Sequence, residues 1–577
     1  MKEITTSVYT FKDMIEGGCL YVDKTAYLHR MVSATKGQFF LARPRRFGKS
    51  LTVSTLEAIF RGRQDLFRGL AIEARGYRFE EYPVIHLDFA AMRTATPEKM
   101  ADSICRRLSR IAEEYGLSGQ PENAGGAMPG AAVSVEAGGT AAVSGVGRSI
   151  SYSIYESPDP AERFAALIDT LYDRTGKGVV LLIDEYDKPL IDHLSDGRAE
   201  AMRTFMDDFY QVIKGAEPEL RFVLITGVTK FSKVSVFSKL NSLTDITMDR
   251  DYACLCGYTQ AELEENFAEY MAGPDFQSLT ADDGRPLGQD GALQLLRHWY
   301  DGFCFCAGCE NVYNPVSVGR FFAGHCAFRN YWFSTGTPSF LMDLIRRNHL
   351  VLSDMDGAVM TDSSFNVFDI TELAGCDIQD ERIVQLLFQT GYLTLDRQLR
   401  TQPQTVYSLR FPNHEVSLSF AESLVKNYYG NNKPLSYVNG ILNAAENGDT
   451  KEIIDLLKDF FANLPYDIQI RDEKYYQSMT YAIFKMCAMD VTAEERTNIG
   501  RIDAVLKAGR HLYIIEFKLN KTAEEAAAQI DSRQYPEKYL RAAQAGHLTI
   551  HRLGINFDYT EGCRNISDWK EERSPRS

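Results

Sequence analysis

Residues 37–51, GQFFLARPRRFGKSL, join a short apolar run to the tripeptide Gly48-Lys49-Ser50. The apolar run is typical of a buried strand, and the residues after the tripeptide have helical spacing. A loop between a strand and a helix binds phosphate well, because backbone N–H groups and the helix N-terminus meet there. The sequence therefore predicts a nucleotide site here, within an α/β fold.

The loop differs from the usual pattern G-x-x-x-x-G-K-[ST] at its first position. A glycine is expected at position 43, where the chain has Arg43 followed by a proline. The turn must then be made in another way, which the fixed φ of Pro44 could assist. Arg43, Arg45 and Arg46 are candidates either for closing on phosphates or for contacting a neighbouring domain.

Each residue of the tripeptide has an expected role. Lys49 would reach the β- and γ-phosphates of ATP, and the Ser50 hydroxyl would bind Mg²⁺. The other loop residues assigned to the nucleotide are Arg46, Phe47 and Gly48.

The stretch VVLLIDEYD, residues 179–187, supplies the second half of such a site. Five apolar residues predict a buried strand, and Asp184 and Glu185 follow at its carboxyl end. Asp184 would hold Mg²⁺ and Glu185 would orient or deprotonate the attacking water. A solvated acidic turn is the alternative. Thr226 ends another apolar run, where it is either a sensor of the γ-phosphate or an ordinary strand-end threonine.

Alternating strands and helices predict a parallel sheet that helices cover on both faces. The expected fold class is α/β, with a P-loop NTPase domain, a helical and winged-helix-like middle region and a C-terminal restriction-endonuclease-like domain. The expected divisions are 1–257 (ATPase, with an insertion at 118–150), 258–385 (helical lid), 386–430 (winged helix), 431–465 (helical linker), 466–560 (nuclease-like) and 561–577 (polar tail).

The composition limits the function classes. The chain has 577 residues, 45% hydrophobic and 24% charged, with a net charge of -15, so a contact with nucleic acid requires a local basic surface. It shows no signal peptide and no apolar run long enough to cross a membrane, which predicts a soluble cytoplasmic protein. The 11 cysteines are expected to be reduced. Cys304, Cys306 and Cys309 are close enough in sequence to bind a metal, although ordinary loop thiols are the commoner outcome.

The stretch HLYIIEFKL, residues 511–519, places charged residues on a strand that should be buried. By the period of two, Ile514, Glu516 and Lys518 share one face, and the apolar residues between them form the other. Asp503 lies on the preceding strand. A two-residue turn would pair it with Ile514 and a four-residue loop with Glu516, and both loops put it on the face of Glu516.

Asp503, Glu516 and Lys518 form the pattern D-x₁₂-E-x-K. Two carboxylates on one face can hold Mg²⁺, with Mn²⁺ as a substitute, and the lysine can assist a water that attacks a phosphodiester. A buried, salt-bridged hairpin is the structural alternative.

This pattern resembles the PD-(D/E)XK nuclease superfamily over residues 466–560. Ile502 stands where that superfamily usually has proline. The resemblance implies an additional helix acid, matched by Glu473, and a glutamine beside the site, matched by Gln529; a solvated helix start is the alternative for Glu473.

The N-terminal motifs YVDKT, RPRRFGKS, LIDEYDKP, YDGF and YWFSTGTP resemble bacterial AAA-ATPase-like proteins related to the STAND and archaeal ATPases, over roughly residues 3–350. That family also writes its loop as RPRRFGKS, so the resemblance implies that Arg43 is a family variant. The segment 118–150 departs from the family as an insertion.

Together these patterns predict an ATP-binding, ATP-hydrolysing protein coupled to a Mg²⁺-dependent nuclease that acts on DNA or RNA. The expected partners are ATP and nucleic acid, with no membrane, and a homo-oligomer is compatible with this class. The alternative is a STAND-like nucleotide-dependent switch whose nuclease fold is catalytically silent.

Overall fold

A computed structural model describes most of the chain, which divides into two compact units: residues 1–266, and the described residues from 267 onward. The insertion predicted at 118–150 lies outside the described residues. The described ranges are 1–117, 154–155, 157–194, 196–230, 243–281, 284–332, 341, 344–345, 355, 358–361, 380–429, 434–463, 473–487, 490–496, 501–537, 539, 548–560 and 563–573.

The first unit contains a parallel five-stranded sheet, which confirms the predicted P-loop type of fold. Its spatial order is β2-β3-β4-β1-β5, so β4 lies between β1 and β3. Every residue of β3 is buried, as expected for a strand covered on both faces. The strands are β1 (Gly37–Ala42), β2 (Val84–Asp88), β3 (Val179–Asp184), β4 (Leu220–Gly227) and β5 (Thr244–Asp245).

The helices of the first unit begin where the sequence provides caps. Thr96 accepts a hydrogen bond from the Lys99 N–H, and Asp159 accepts one from the Ala161 N–H. The helices are α1 (Phe11–Glu16), α2 (Thr25–Val32), α3 (Lys49–Phe60), α4 (Ala71–Ala74), α5 (Pro97–Glu114), α6 (Pro160–Thr175), α7 (Lys188–Ile191), α8 (Ala199–Gly215) and α9 (Gln260–Asn266).

Arg43, the residue that replaces the usual glycine, is part of the internal structure of the first unit. Its side chain is 1% exposed. Its Nη1 donates to the carbonyl oxygens of Ala42 and Thr247, and its Nη2 donates to that of Tyr252. Arg43 therefore attaches the end of β1 to the chain that follows β5. The sequence left two roles open for Arg43: closing on phosphates or contacting a neighbouring domain. The hydrogen bonds described here instead end on main-chain carbonyls of its own unit.

The second unit begins with helices and a small antiparallel sheet of order β6-β8-β7. Two of its strands and the flanking helices follow the predicted winged-helix pattern, but the third strand comes from the region predicted as a helical lid. These strands are β6 (Val359–Thr361), β7 (Thr394–Arg400) and β8 (Val406–Arg410). The helices are α10 (Ala268–Met271), α11 (Pro274–Gln277), α12 (Gly288–Tyr300), α13 (Pro315–Ala323), α14 (Asp380–Thr390) and α15 (His414–Tyr429).

The rest of the second unit is a five-stranded sheet of order β13-β12-β11-β10-β9, in which only β11 and β12 pair in parallel. The strands are β9 (Asp490–Arg496), β10 (Arg501–Ala508), β11 (His511–Leu519), β12 (Thr549–Thr560) and β13 (Cys563–Arg573). The helices around it are α16 (Pro434–Glu446), α17 (Thr450–Ala462), α18 (Glu473–Met486) and α19 (Ala523–Ser532).

The polar tail predicted at 561–577 was wrong as a separate segment, because residues 563–573 form the edge strand β13 of the C-terminal sheet. An edge strand tolerates charged residues. Here Glu571 accepts hydrogen bonds from Thr450, His551 and Arg573, so this charge is paired inside the fold.

Helices cover both faces of the C-terminal sheet, so the strand bearing Glu516 is buried as predicted. On one face, Tyr513 donates its hydroxyl to the carbonyl of Ala445 in α16, and Phe557 stacks on Tyr476 of α18. On the other face, Ile514 shares an apolar core with Ile530 of α19. The helices predicted as a linker thus pack against this sheet.

In the described part of the chain, we find no helix that combines the length and the apolar character needed to cross a membrane.

We predict that Arg43→Gly, which restores the usual glycine, destabilises the first unit by on the order of 3 kcal/mol. The reason is the loss of charge-assisted hydrogen bonds to three carbonyl groups. Each such bond contributes about 1.5–3 kcal/mol, and water that enters the vacated site replaces part of the total. Hydrogen exchange of the β1 amides, read by mass spectrometry, measures this change. Arg45→Gly is the matched control, because Arg45 is exposed in the same loop. Equal exchange protection in Arg43→Gly and the control would contradict the assignment.

Candidate functional site

The loop between β1 and α3 has the backbone shape of a phosphate-binding loop. Its left-handed positions fall at Arg46, with φ 67°, and Gly48, with φ 88°, so residue 43 does not need to be glycine. The first N–H groups of α3 lack partners within the helix and form an anion site at its N-terminus. Lys49 is 4% exposed, and its Nζ donates to the carbonyls of Arg43 at 3.0 Å and Pro44 at 3.1 Å. These bonds can be exchanged for phosphate oxygens.

The strand order brings Thr226 and Asp184 together. The Thr226 hydroxyl donates to Asp184 Oδ1, and the Glu185 N–H donates to the same oxygen at 3.1 Å. Both hydrogen bonds recorded for Asp184 thus end on Oδ1. Its other oxygen is available to a cation at the end of the sheet, and Ser50 at the start of α3 is half-buried. Oxygen ligands of this type suit Mg²⁺, so Ser50 and Asp184 fit the predicted metal.

Glu185 has the properties expected of a group that accepts a proton. Burial raises its pKa, while the positive charge of Lys49 opposes that shift. Its backbone lies in the left-handed region at φ 51°, which is strained for a residue other than glycine. The hydrogen bonds recorded for the described residues leave its carboxylate unbonded, so it remains available to water.

Sequence reasoning missed three residues around this site. Asp187 is 1% exposed and accepts hydrogen bonds from Val228 and Thr229. It precedes the short helix α7, but its side chain does not cap that helix. Tyr186 and Asp88 complete the set; Asp88 lies beside Asp184 in the β2–β3 register, which an apolar run ending in an acid could have indicated.

In the C-terminal sheet, β10 and β11 adopt the register expected for the four-residue loop, although the pairing of Ala508 with His511 leaves only Gly509 and Arg510 in the turn. Lys507 pairs with Leu512 and Ala504 with Ile515, which sets Asp503 opposite Glu516. Asp503 Oδ2 accepts a hydrogen bond from the Phe517 N–H at 2.8 Å. The pairing therefore brings together the two carboxylates predicted to share a face.

Glu516 is the most constrained charged group of this second site. It is 1% exposed, and its Oε1 accepts hydrogen bonds from Lys518 Nζ at 3.3 Å and from Gln529. Its Oε2 is buried and has no hydrogen-bond partner in the described structure. Burial, aided by the charge of Asp503, raises the pKa of Glu516 to about 8, although Lys518 opposes the shift.

A buried carboxylate oxygen without a donor is costly unless a cation completes it. Asp503 and Glu516 are oxygen ligands, and Lys518 stands beside Glu516, so the chemistry of these residues fits a divalent metal. The described residues contain no group of three or more histidine, cysteine or acidic side chains arranged for a metal. The protein would therefore supply two carboxylates here, with water or substrate oxygens completing the coordination.

Three further residues lie near Glu516 or Lys518: Glu473, Gln529 and Tyr535. Glu473 begins α18 and accepts a hydrogen bond from the Leu519 N–H at 3.0 Å, next to Lys518. Gln529 contacts Glu516 directly, as the resemblance implied. Burial and the charge of Glu516 raise the pKa of Tyr535, which lies fully buried near this carboxylate.

The cysteines of the predicted alternative metal cluster are free thiols. The Cys304 thiol donates to the carbonyl of Cys306 at 3.1 Å, and Cys306 donates to that of Ala307. Main-chain carbonyls thus hold two of the three thiols. Cys309 is half-buried.

The fold and the two sites define a protein that joins a nucleotide-binding domain to a nuclease-like domain. A family model described as "Predicted AAA-ATPase" matches residues 5–237, and a model described as "PD-(D/E)XK nuclease superfamily" matches residues 471–569.

One relative matches the chain over nearly the full length of both proteins. The chain is 32% identical over 569 residues to a protein of Azotobacter chroococcum mcd 1 described as "Uncharacterized protein in vnfD 5'region", and the match covers 96% of each chain. No solved structure matches the chain. The chain therefore belongs to the AAA-ATPase-like family, and its C-terminal domain belongs to the PD-(D/E)XK nuclease superfamily.

We predict that Glu516→Gln stabilises the metal-free protein increasingly as the pH rises. The folded chain keeps the Glu516 proton up to about pH 8, whereas the ordinary value is 4.5, so folding free energy is lost as the pH rises between these values. The difference in unfolding free energy between the variant and the wild type should widen by about 2–3 kcal/mol from pH 6 to pH 8.5.

Denaturant unfolding in the presence of a chelator, followed through the tryptophans, measures this difference. Glu524→Gln is the matched control, because Glu524 is exposed on the neighbouring helix α19. A difference that stays constant across this pH range would show that Glu516 does not carry the raised pKa.

Proposed function

We propose that this protein binds and hydrolyses ATP and is coupled to a metal-dependent nuclease that acts on DNA or RNA. The buried, unpartnered Glu516 Oε2 beside Asp503 and Lys518 is the observation that carries the nuclease half. The arrangement of Lys49 and Asp184 at one end of a parallel sheet supports the ATPase half.

In the nucleotide site, the α3 N-terminus and Lys49 would bind the phosphates of ATP. Ser50 and Asp184 would hold Mg²⁺, which would neutralise charge on the phosphate oxygens. Glu185 would accept the proton of the attacking water, and Thr226 would orient Asp184 through its hydroxyl. Lys49 would exchange its two carbonyl partners for phosphate oxygens when nucleotide enters.

In the nuclease site, Asp503 and Glu516 would hold Mg²⁺ or Mn²⁺, and the bound metal would lower the pKa of water and stabilise charge on the phosphodiester. Gln529 would keep Glu516 oriented by donating to Oε1, which leaves Oε2 for the cation. Lys518, held by the Phe517 carbonyl at 2.9 Å, would face the attacking water or the scissile phosphate. Glu473 would act beside Lys518 at the end of β11.

A nuclease also needs a positive surface for its substrate. Lys521 and Arg533 are exposed near the ends of β11 and α19 and are suitable contacts for the phosphate backbone. We further propose a cytoplasmic location, because the nine described cysteines without a disulfide suit a reducing compartment. Assembly as a homo-oligomer would let one copy complete the ATP site of another.

We predict that the purified protein cleaves plasmid or single-stranded nucleic acid with Mg²⁺ or Mn²⁺, and that Asp503→Asn and Lys518→Ala each lower the rate at least 100-fold. The loss follows because each change removes a metal ligand or the only cation beside Glu516 among the described contacts. Gel assays with and without ATP measure the rate and its dependence on nucleotide.

Lys521→Ala is the control for this prediction, since it removes an exposed charge close by and should reduce only substrate affinity. Cleavage that persists in Asp503→Asn would exclude this site. A metal-loaded wild type that cleaves none of the substrates, while still responding to ATP, would favour the nucleotide-dependent switch instead.

We predict that Lys49→Ala weakens ATP binding at least about 100-fold. The reason is that the buried ammonium group, now bonded to two loop carbonyls, would bind the phosphates directly. Fluorescent-nucleotide titration measures the dissociation constant. Lys36→Ala, which removes an exposed lysine at the opposite end of β1, should bind ATP normally. Unaltered affinity in Lys49→Ala would mean that the loop is a basic turn without a nucleotide.

A further inference from the structure

Several hydrogen bonds join the turn after β3 to the end of β4. The Thr226 hydroxyl donates to Asp184, and the Tyr186 N–H donates to the Thr226 carbonyl at 3.0 Å. The Tyr186 hydroxyl donates to the Thr229 carbonyl at 2.9 Å. The two segments, 184–187 and 226–229, are therefore joined at three separate points before Asp187 is considered.

Asp187 contributes the largest group of bonds to this junction. Its carboxylate accepts from the Val228 N–H at 3.0 Å, from the Thr229 N–H at 2.6 Å and from the Thr229 hydroxyl at 2.6 Å. Asp187 and Thr229 are both almost completely buried. Burying a carboxylate among neutral donors is unfavourable unless those donors are held in place, so this junction has little freedom to shift.

The close packing between the two segments leaves no space for adjustment. A methyl group on Gly227 would lie 2.6 Å from the Tyr186 ring and 2.7 Å from Asp187 Oδ1. Such a contact is impossible without movement of one segment. The junction thus depends on main-chain positions as much as on side chains.

Glu185 is the residue in the middle of this turn, and it differs from its neighbours. Its φ of 51° is strained, and its carboxylate takes part in none of the hydrogen bonds recorded for the described residues. Strain of this kind persists only where the surroundings impose it, and it occurs often at functional sites. The bonds of Tyr186 and Asp187 hold one side of the turn, and the bond of Asp184 holds the other.

We propose that Asp187 is a positioning residue that keeps the Glu185 carboxylate aimed at the attacking water by fastening the 184–187 turn to residues 228–229. The inference rests on the proposed ATP hydrolysis. Asp187 itself touches neither nucleotide nor metal in this account. Loss of its bonds would let the strained backbone at Glu185 relax, and the carboxylate would leave its position while Lys49 and the phosphate loop stay in place.

The test compares Asp187→Asn with the wild type in the full chain. The amide keeps the size of the carboxylate but turns an N–H group toward the N–H donors of residues 228–229. We expect kcat for ATP to fall by about 10- to 100-fold, which is part of the roughly 10²- to 10⁴-fold that a positioned general base contributes, while the dissociation constant for ADP changes less than about threefold. A purely structural role would weaken ADP binding and kcat together.

Two substitutions at Thr229 give matched variants. Thr229→Val removes the hydroxyl that donates to Asp187 and should lower kcat severalfold with ADP affinity unchanged. Thr229→Ser restores the hydroxyl and should restore kcat. This pair decides the question even if Asp187→Asn fails to fold, and equal kcat in the valine and serine variants would overturn the proposal.

Binding of Mg-ADP with aluminium fluoride separates this inference from the proposed function. The wild type should bind this transition-state analogue much more tightly than ADP, and Asp187→Asn should lose that preference. A variant that keeps the full preference and kcat would overturn the role of Asp187 alone. A wild type with neither preference nor hydrolysis would refute the proposed ATPase activity, and the role of Asp187 with it.

Discussion

The pairing register of neighbouring strands is the constraint on which both sites depend. In the first unit, β4 lies between β1 and β3. Thr226, near the end of β4, therefore lies beside both the phosphate loop and Asp184. In the second unit, the antiparallel pairing of β10 with β11 sets Asp503 opposite Glu516. A shift of one residue in that second pairing would turn Asp503 to the other face of the sheet and separate the two carboxylates.

Both sites place carboxylates where burial is unfavourable and then satisfy them in different ways. Asp187 is surrounded by N–H and O–H donors, so it needs no cation and serves to hold two segments together. Burial raises the pKa of both carboxylates, but Glu516 receives donors on only one oxygen. This contrast distinguishes a carboxylate that organises the fold from one that is available to a metal.

Local patterns were enough to predict the class of fold, and they also selected the residues proposed for both sites. Lys49, Ser50 and the acids after β3 lie within short motifs, and the period of two put Asp503 on the face of Glu516 for either loop length. The exact pairing could not be predicted, because a two-residue turn at Ala508-Gly509 and a four-residue loop put Asp503 on the same face and differ only in which residues close the ladder. The structure shows the longer-loop register, with Ala508 paired to His511.

Other features depend on contacts far apart in the sequence, and these were missed or predicted wrongly. Arg43 binds carbonyls more than 200 positions along the chain, at Thr247 and Tyr252, so its own motif could not reveal its role. Asp187 bonds to Val228 and Thr229, more than 40 positions further along, so the motif that contains it did not indicate its role. The strand β13 looked like a polar tail because its charges find partners only after the sheet forms.

The most direct measurement for this account is anomalous diffraction from Mn²⁺ in crystals of the full chain grown with ADP. The account predicts one manganese peak at coordination distance from both Asp503 and Glu516, and a second at Ser50 beside the nucleotide phosphates. Nucleotide bound at Lys49 with no metal between Asp503 and Glu516, at saturating Mn²⁺ and pH 8.5, would contradict the claim that the second site is a metal-dependent nuclease.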